Sequence, residues 1–472
     1  MTWLWHTLPP HLQFWLTFLW IVYLVVLAGW IALQKREPIA TLSWLLSLAL
    51  LPIVGLLIYH FLGPQRIRRQ RLKRLRSRAR LDASAVTESG ADCSSLMRLA
   101  QACSSYAPSS ATRVQLLVDG CATYAALLEA IASAREHVHV EYYIFESDRT
   151  GTRLRDALIE RAAAGVQVRL LMDAVGSAYT YESFLAPLRA AGAQVAFFHR
   201  FRLRRLWRPK MNLRNHRKIV IVDGRIGFTG GINITDREDE SLRADAFHDL
   251  HLRMEGDAVR WLQLAFVEDW VYSNPKVLKT PSTDGFWPHA AAGPIRTQVL
   301  PAGPDSPWET IHRTMLAAID GASTRIWLST PYFVPSDAAR MALTSAALRG
   351  VDVCLLVPAR SDSLLVSVIG RSYYDELQAA GVRIYEYPRM LHMKALLVDE
   401  QVAILGSSNF DNRSFRLNFE LCVLFEDAGV AADLARILTA DVELAEQVPI
   451  PRPLGLPASL FEAVARLLSP LL

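Results

Sequence analysis

Cysteine is scarce in this sequence, and its spacing excludes the usual cysteine-based frameworks. The 472 residues include only five: Cys93, Cys103, Cys121, Cys354 and Cys422. None forms a C-x-x-C pair or joins a histidine pair, so the sequence indicates no zinc site. An odd number of scattered cysteines favours reduced thiols in a reducing compartment.

Charged residues are missing from two long stretches near the N-terminus. No Asp, Glu, Lys or Arg occurs from Phe14 to Leu33 or from Ile39 to Leu62. Each run reaches roughly the 20 residues that a helix needs to cross a bilayer. A cleaved signal peptide is the alternative for the first run, but residues 1–6 hold no Lys or Arg. We predict a transmembrane hairpin at residues 1–64, with helices at about 12–34 and 39–62.

Acidic residues are missing from the segment that follows. Between Arg66 and Arg80 there are nine basic residues and no acidic one, although the whole chain has a formal net charge of only +5. Basic residues beside a membrane helix stay in the cytoplasm and attract anionic headgroups. We assign residues 65–112 to a basic juxtamembrane segment and linker, and place the rest of the chain on the cytoplasmic side. A nucleic-acid-binding arm is the competing interpretation, which this position disfavours.

One pattern occurs twice, 176 positions apart. His216 to Asp223 and His392 to Asp399 each read H-x-K-x4-D, and each is followed by small residues and an asparagine. Because alternate residues of a strand share a face, the His and Lys of each copy point the same way. The doubled pattern indicates one site built from two homologous halves. The candidate residues are His216, Lys218, Asp223 and Asn233 in the first copy and His392, Lys394, Asp399 and Asn409 in the second.

These residue types suit the cleavage of a phosphodiester. Double displacement at phosphorus needs a nucleophile, an acid for the leaving alkoxide and positive charge around the phosphoryl oxygens. Two His, two Lys and two Asn supply all three, so we expect neither a metal nor a cofactor. Asp223 precedes Gly224 in a turn signal and lies at an odd offset from His216. We therefore expect Asp223 and Asp399 to support the turns rather than to transfer protons.

Apolar strand-like runs alternate with helical stretches from about residue 113 onward, and the second half repeats the order of the first. This alternation predicts an α/β fold built on crossover units. We predict a first half-domain at 113–290, a second at 291–448 and a C-terminal amphipathic tail at 449–472. The tail is equally compatible with membrane contact and with packing on the domain.

The paired motifs resemble the HKD signature of the phospholipase D superfamily, and the N-terminal hairpin resembles that of its bacterial cardiolipin synthase branch. The resemblance implies two phospholipase D-like α/β sandwich half-domains with pseudo-two-fold symmetry. It also implies that His216 attacks phosphorus to give a phosphohistidine and that His392 is the general acid and base. Glu420 matches the position expected to hydrogen-bond the second histidine, and Asp249 is its counterpart in the first half.

By this resemblance the expected activity is phosphatidyl transfer between two phosphatidylglycerol molecules in a bacterial inner membrane, with anionic phospholipids and the bilayer as partners. Hydrolysis to phosphatidic acid and the use of phosphatidylethanolamine as second substrate stay open, as does the oligomeric state. A nuclease and an inactive membrane scaffold are more distant alternatives. No nucleic-acid partner is expected.

The segment from Arg200 to Lys218 is basic and mixed with aromatic and apolar residues. It is interpreted either as a solvated loop or as an element that contacts headgroups through Arg202, Arg204 and Arg205.

Overall fold

The computed structural model describes residues 9–32, 45–46, 48, 93–199, 213–274 and 285–469. Most of the predicted second membrane helix, the basic run from Arg66 to Arg80 and residues 200–212 of the basic segment lie outside these ranges. The chain divides into two compact units, residues 1–67 with 204–212 and residues 68–203 with 213–472.

The first unit contains helix α1, Pro10–Ala32, within the part of the chain that the structure describes. Proline is well placed at a helix start because its missing N–H has no partner there in any case. The apolar window Pro10–Leu27 is entirely unburied, and α1 is the one described helix long and apolar enough to cross a membrane. A helix is thus present where the first membrane helix was predicted, and it begins two residues earlier than expected.

The second unit is built from the following described elements. Its helices are α2 Ser95–Ser104, α3 Asp119–Ser133, α4 Arg149–Ala163, α5 Glu182–Ala190, α6 Ala258–Ser273, α7 Thr310–Asp320, α8 Asp337–Leu348, α9 Leu364–Arg371, α10 Tyr374–Ala379, α11 Asn412–Arg416, α12 Ala428–Leu444 and α13 Leu456–Arg466. Its strands are β1 Ser109–Ala111, β2 Arg113–Val118, β3 His137–Tyr142, β4 Gln167–Asp173, β5 Gln194–Phe198, β6 Ile219–Val222, β7 Ile226–Gly230, β8 Leu250–Glu255, β9 Ile295–Ala302, β10 Arg325–Ser329, β11 Phe333–Val334, β12 Asp352–Pro358, β13 Arg383–Tyr387, β14 Ala395–Val398, β15 Val402–Gly406, β16 Phe410–Asp411, β17 Glu420–Glu426 and β18 Glu446–Gln447.

Two mixed sheets repeat one strand order. The first sheet has the strand order β2-β8-β7-β6-β3-β4-β5. The second contains the order β9-β17-β15-β14-β10-β12-β13, in which each strand corresponds to the strand at the same place in the first sheet. Strands β3, β4 and β5 are parallel and joined by helices, whereas β2, β8, β7 and β6 pair antiparallel. The predicted crossover units are therefore present, but they involve only three of the seven strands in the first sheet and three of the nine in the second.

Strand alternation divides the apolar side chains between two cores. In β6, Ile219 and Ile221 enter a core shared with the second sheet, while Val220 and Val222 pack under the helices of their own half. In β14, Ala395 and Leu397 face the shared core and Leu396 and Val398 the outer one. Each fully buried Ile, Leu or Val stabilises the fold by roughly 1.5–3 kcal/mol. The shared core thus holds the two motif-bearing strands on facing sheets.

The last residues of the predicted linker at 65–112 belong to the second half-domain. Strand β1 pairs antiparallel with β9, and Met97 and Ala100 of α2 enter the outer core of the second half. The prediction was wrong for residues 95–111, because this short helix and strand cover an edge of the second sheet that local sequence patterns do not reveal. At the other end, β18 adds to β13, close to the predicted boundary at 448.

Candidate active site

The first motif is held in place by the second half of the chain. The backbone N–H of His216 donates to the carbonyl of Phe419 at 2.8 Å, and the N–H of Phe419 donates to the carbonyl of Arg214 at 2.8 Å. The second motif repeats this arrangement: the N–H of His392 donates to the carbonyl of His248 at 2.7 Å. Each catalytic candidate therefore lies on a segment that bridges to the opposite half.

These backbone bridges between the two halves decide which carboxylate supports which imidazole. His216 Nδ1 donates to Glu420 Oε2 at 3.0 Å, and His392 Nδ1 donates to Asp249 Oδ2 at 2.6 Å. Glu420 and Asp249 are counterparts, as predicted, but the expected pairing of Glu420 with the second histidine was wrong. The pairing is crossed because each carboxylate follows the residue that bridges to the other half's histidine segment.

Both imidazoles line one cavity of about 350 Å³. A carboxylate only accepts hydrogen bonds, so each Nδ1 carries a hydrogen and each neutral ring leaves Nε2 unprotonated. The carbonyl of Ser407 also accepts from His216 Nδ1 at 3.0 Å. Tyr143 packs edge-on against the His216 ring, with centroids 4.8 Å apart. Two rings from remote segments thus meet at one site.

The two motif lysines are buried, and each donates to the backbone of its own motif. Lys218 Nζ donates to the carbonyl of His216 at 2.9 Å, and Lys394 Nζ to that of His392. Burial lowers the pKa of Lys218 to about 7, with the charge of Lys394 adding to the shift, and burial also lowers the pKa of Lys394. The two ammonium groups therefore repel each other, and a bound anion would offset this repulsion.

The two motif asparagines line the same cavity but differ in their partners. Asn233 donates from its backbone N–H and its Nδ2 to Glu238, at 2.9 and 2.8 Å. Asn409 Oδ1 is buried, with no hydrogen-bond partner in the described part of the chain. The carboxylate of Glu238 therefore fixes the amide of Asn233. In the second motif, Ser414 occupies the position that corresponds to Glu238.

The two motif aspartates lie at turns and bind backbone. Asp223 accepts from the N–H groups of Arg135, Glu136 and His137 at 2.8–2.9 Å. Asp399 accepts from the equivalent residues Ser323, Thr324 and Arg325 at 2.8–3.2 Å. Both have positive φ, 51° and 52°, a conformation that Asp and Asn adopt more readily than most residues. Neither is placed to exchange a proton with an imidazole.

His392 has two carboxylates nearby, Asp249 and Glu238, whereas His216 has Glu420. Burial raises the pKa of Asp249 to about 6, and burial also raises the pKa of the neighbouring Glu238. The pKa of Glu420 is instead lowered, because His216, Lys218 and Ser407 outweigh its burial. Burial lowers the pKa of both His216 and His392. The two carboxylates beside His392 are thus harder to ionise than Glu420 beside His216.

Among the described residues, Glu238, Asp249 and His392 bring possible metal-ligand atoms within 4.8 Å of one another. The carboxylates are already engaged: Glu238 accepts from Asn233, and Asp249 accepts from His392 and the N–H of Leu250. This donor set is committed to orienting an amide and an imidazole. The expectation of a metal-free site stays a prediction.

Several cavity-lining residues had no place in the sequence-based site. They include Tyr143, Arg214, Arg237, Glu238, Phe247 and Arg413. One signal could have found two of them, because Arg237 and Arg413 each lie four residues after a motif asparagine. The position of Glu238 carries no such doubled signal.

Comparison with known proteins agrees with this geometry. The family described as "Cardiolipin synthase, PLD-like domain" matches residues 127–249 and 315–442, one segment for each motif. This chain belongs to that family. It is 36% identical to a cardiolipin synthase of Alkalihalophilus pseudofirmus, over 93% of the chain and 90% of that protein. It is 38% identical to one of Geobacillus sp. over 95% of the chain and 92% of that protein.

A solved structure shares the fold. The phosphatidylserine synthase of Haemophilus influenzae aligns with a TM-score of 0.61 at 12% identity, covering 80% of this chain and all of that one. At this identity the likeness shows the arrangement of the two halves and nothing about substrates.

Proposed function

We propose that this chain transfers the phosphatidyl group of one phosphatidylglycerol to a hydroxyl of a second, giving cardiolipin and glycerol. As a member of the cardiolipin synthase family it is a phosphatidyltransferase. One observation carries the mechanism: two imidazoles, each held at Nδ1 by a carboxylate of the opposite half, line a single cavity.

The reaction proceeds in two displacements. His216 Nε2 attacks phosphorus; a P–N bond forms and the P–O bond to glycerol breaks, while His392 Nε2 gives a proton to the departing oxygen. A hydroxyl of the second lipid then loses its proton to His392 and attacks phosphorus, which breaks the P–N bond and restores His216. Lys218 and Lys394 supply positive charge near the phosphoryl oxygens, and the Asn233 and Asn409 amides face them.

The carboxylates support this division of roles. Ionised Glu420 keeps His216 in the tautomer whose Nε2 lone pair faces the cavity. Asp249 accepts from His392 Nδ1 and so stabilises the imidazolium whose Nε2 proton goes to the leaving group. A bound phosphate adds negative charge that raises the pKa of His392 and favours its protonated form.

The full-length protein in phosphatidylglycerol vesicles tests the activity. Wild type is expected to form cardiolipin and glycerol in equal amounts, and His216→Ala and His392→Ala at least about 10³-fold less. Phosphatidic acid as the only product would identify a hydrolase instead. Full cardiolipin output from either variant would overturn the mechanism.

A donor lipid that carries p-nitrophenol separates the two histidines, because nitrophenolate leaves without a proton. His392→Ala is expected to release one nitrophenol per enzyme and to keep a covalent phosphatidyl group, whereas His216→Ala releases none. The reverse result would assign the nucleophile to His392.

The enzyme is further proposed to work on the cytoplasmic face of the bacterial inner membrane, anchored by α1 and the predicted second helix. Withdrawing acyl chains from a bilayer costs about 0.8 kcal/mol per CH₂, so the cavity must open close to the bilayer. Helix α13 exposes Leu456, Leu460, Val464 and Leu467 at helical spacing. Its other side packs on the domain, with the Arg466 guanidinium 4.2 Å from the Tyr373 ring.

Helix α9, which contacts α13, begins with exposed Leu364 and Leu365 next to cavity-lining Ser363 and Val366. These apolar side chains are therefore placed to enter the bilayer surface beside the cavity mouth. A fluorophore on Leu460→Cys, with exposed Cys121 replaced by Ser, is expected to be quenched by nitroxide lipids. The control is Leu348→Cys on α8, at a position that is even more exposed to solvent. Equal quenching at both positions would contradict this orientation.

A further inference from the structure

Two arginines from opposite halves line the active-site cavity beside His216 and have no part in the chemistry described above. Arg214 precedes His216 by two residues, and Arg413 lies in α11 of the second half. Arg214 is half-buried, and its guanidinium has no hydrogen bond or ion pair within the described ranges. A half-buried cation that faces a cavity is a candidate anion-binding group.

The two guanidinium groups belong to one cluster. Burial lowers the pKa of Arg413, and the positive charge of Arg214 lowers it further. Burial raises the pKa of the Tyr143 hydroxyl, and the charges of both arginines oppose this rise. Like charges brought together in a partly desolvated site destabilise it until an anion binds between them.

Asp173 and Asp411 partly balance the charges of Arg214 and Arg413, but both accept hydrogen bonds from backbone N–H groups. Asp173 accepts from the N–H groups of Val175, Gly176 and Asn215 at 2.9–3.0 Å. Asp411 caps α11 by accepting from the N–H of Ser414 at 2.6 Å. The hydrogen bonds of these acids thus fix loops, and the forked donors of Arg214 remain available to a ligand that enters the cavity.

This cluster breaks the symmetry of the site. The His, Lys and Asn of the two motifs are duplicated, and Arg413 has a counterpart in Arg237, but the counterpart of Arg214 at the same motif offset is buried Met390. Among the described residues, one side of the cavity therefore carries a pair of arginines and the other carries one. The reaction has a matching asymmetry, since two lipid phosphates are present and only one is attacked.

We propose that Arg214 and Arg413 form a second anion subsite that binds the phosphodiester of the acceptor lipid while its hydroxyl attacks the phosphohistidine. This inference rests on the proposed transferase activity. The ligand is a phosphate diester on a glycerol, and the pair suits it because both guanidinium groups are positively charged and the fork of Arg214 can donate two hydrogen bonds to phosphoryl oxygens. The two arginines are thus specificity-determining residues for the acceptor.

Two assays with the same donor lipid test the subsite. Cardiolipin formation needs the acceptor phosphate, whereas exchange of labelled glycerol into phosphatidylglycerol uses an acceptor that has none. Arg214→Gln and Arg413→Gln are each expected to lower cardiolipin formation about tenfold or more and glycerol exchange less than about threefold. Arg413→Lys is expected to recover part of the loss. The control is Arg237→Gln, which removes the equivalent arginine on the other side and is expected to produce no such difference.

Equal losses in both assays, or no loss in either, would overturn the subsite, provided that the melting temperatures of the variants match wild type. Inorganic phosphate distinguishes a lipid ligand from a free anion. Phosphate is added at concentrations lower than the phosphatidylglycerol concentration that saturates the enzyme. If cardiolipin formation is inhibited there, the subsite binds free phosphate and its assignment to the acceptor lipid fails. Failure of the proposed function has a different signature, because wild type would then give neither cardiolipin nor glycerol exchange.

Discussion

Glu420 Oε2 lies 3.0 Å from His216 Nδ1, although 204 positions and the boundary between two half-domains separate the two residues. The reciprocal contact joins Asp249 and His392 at 2.6 Å. Each half therefore supplies an imidazole and the carboxylate for the other half's imidazole. Neither half contains a complete pair on its own.

Glu420→Gln is expected to lower kcat by about 10²- to 10⁴-fold with little change in folding. A glutamine amide can donate as well as accept, so His216 loses the preference for hydrogen on Nδ1 and its Nε2 is no longer reliably a free nucleophile. Initial rates at saturating phosphatidylglycerol measure the effect. Asp223→Asn is the control, since it makes a similar change away from the imidazoles. A Glu420→Gln enzyme with normal kcat would contradict the support that Glu420 gives to His216.

The aspartates at the turns are expected to affect stability and not turnover. Asp223→Ala removes an acceptor of three backbone hydrogen bonds and a residue suited to positive φ, a loss of about 2 kcal/mol or more. The melting temperature should fall by several degrees, and less for Asp223→Asn, which keeps the conformation. Normal melting combined with a lost kcat would instead place Asp223 in the chemistry.

The lowered pKa of Lys218 predicts that kcat/KM decreases at alkaline pH. With its pKa lowered to about 7, the free enzyme loses this positive charge as pH rises through that value, so kcat/KM should fall above about pH 7. Bound phosphate stabilises the ammonium form, so the corresponding limb of kcat should lie at higher pH. Rates measured from about pH 6 to 9 separate the two limbs. A kcat/KM that stays constant across this range would contradict the prediction.

His248 joins the two halves beneath the site and predicts a pH-dependent stability. Burial opposes its charge, but hydrogen bonds to Asp119 at 2.7 Å and Asp441 at 2.8 Å raise its pKa to about 10. A raised pKa contributes stability that is complete below the unfolded value of about 6.5 and lost as pH rises towards 10. At 1.36 kcal/mol per pKa unit the contribution is at most roughly 5 kcal/mol.

The melting temperature of the wild type should therefore decline from about pH 7 to 10. His248→Gln should melt lower at neutral pH, because buried Asp441 and half-buried Asp119 lose their cation, and should show a flatter decline. Parallel curves for the two proteins would exclude His248 as the cause.

The sequence alone determined the chemistry and the local structure. The duplicated H-x-K-x4-D pattern placed the histidines and lysines, and the Asp-Gly signal at Asp223 placed a turn. The apolar run Ile219–Val222 predicted a strand. These features depend on neighbours within a few residues, where side-chain periodicity and turn preference act directly.

Only the tertiary structure decided how the halves complete each other. The crossed pairing of Glu420 with His216, the presence of Arg214 and Arg413 in one cavity, and the addition of β1 to the second sheet all bring together residues at least 180 positions apart. No local pattern encodes such contacts, because they follow from docking two apolar sheet faces into one core and from the backbone bridges that this docking permits.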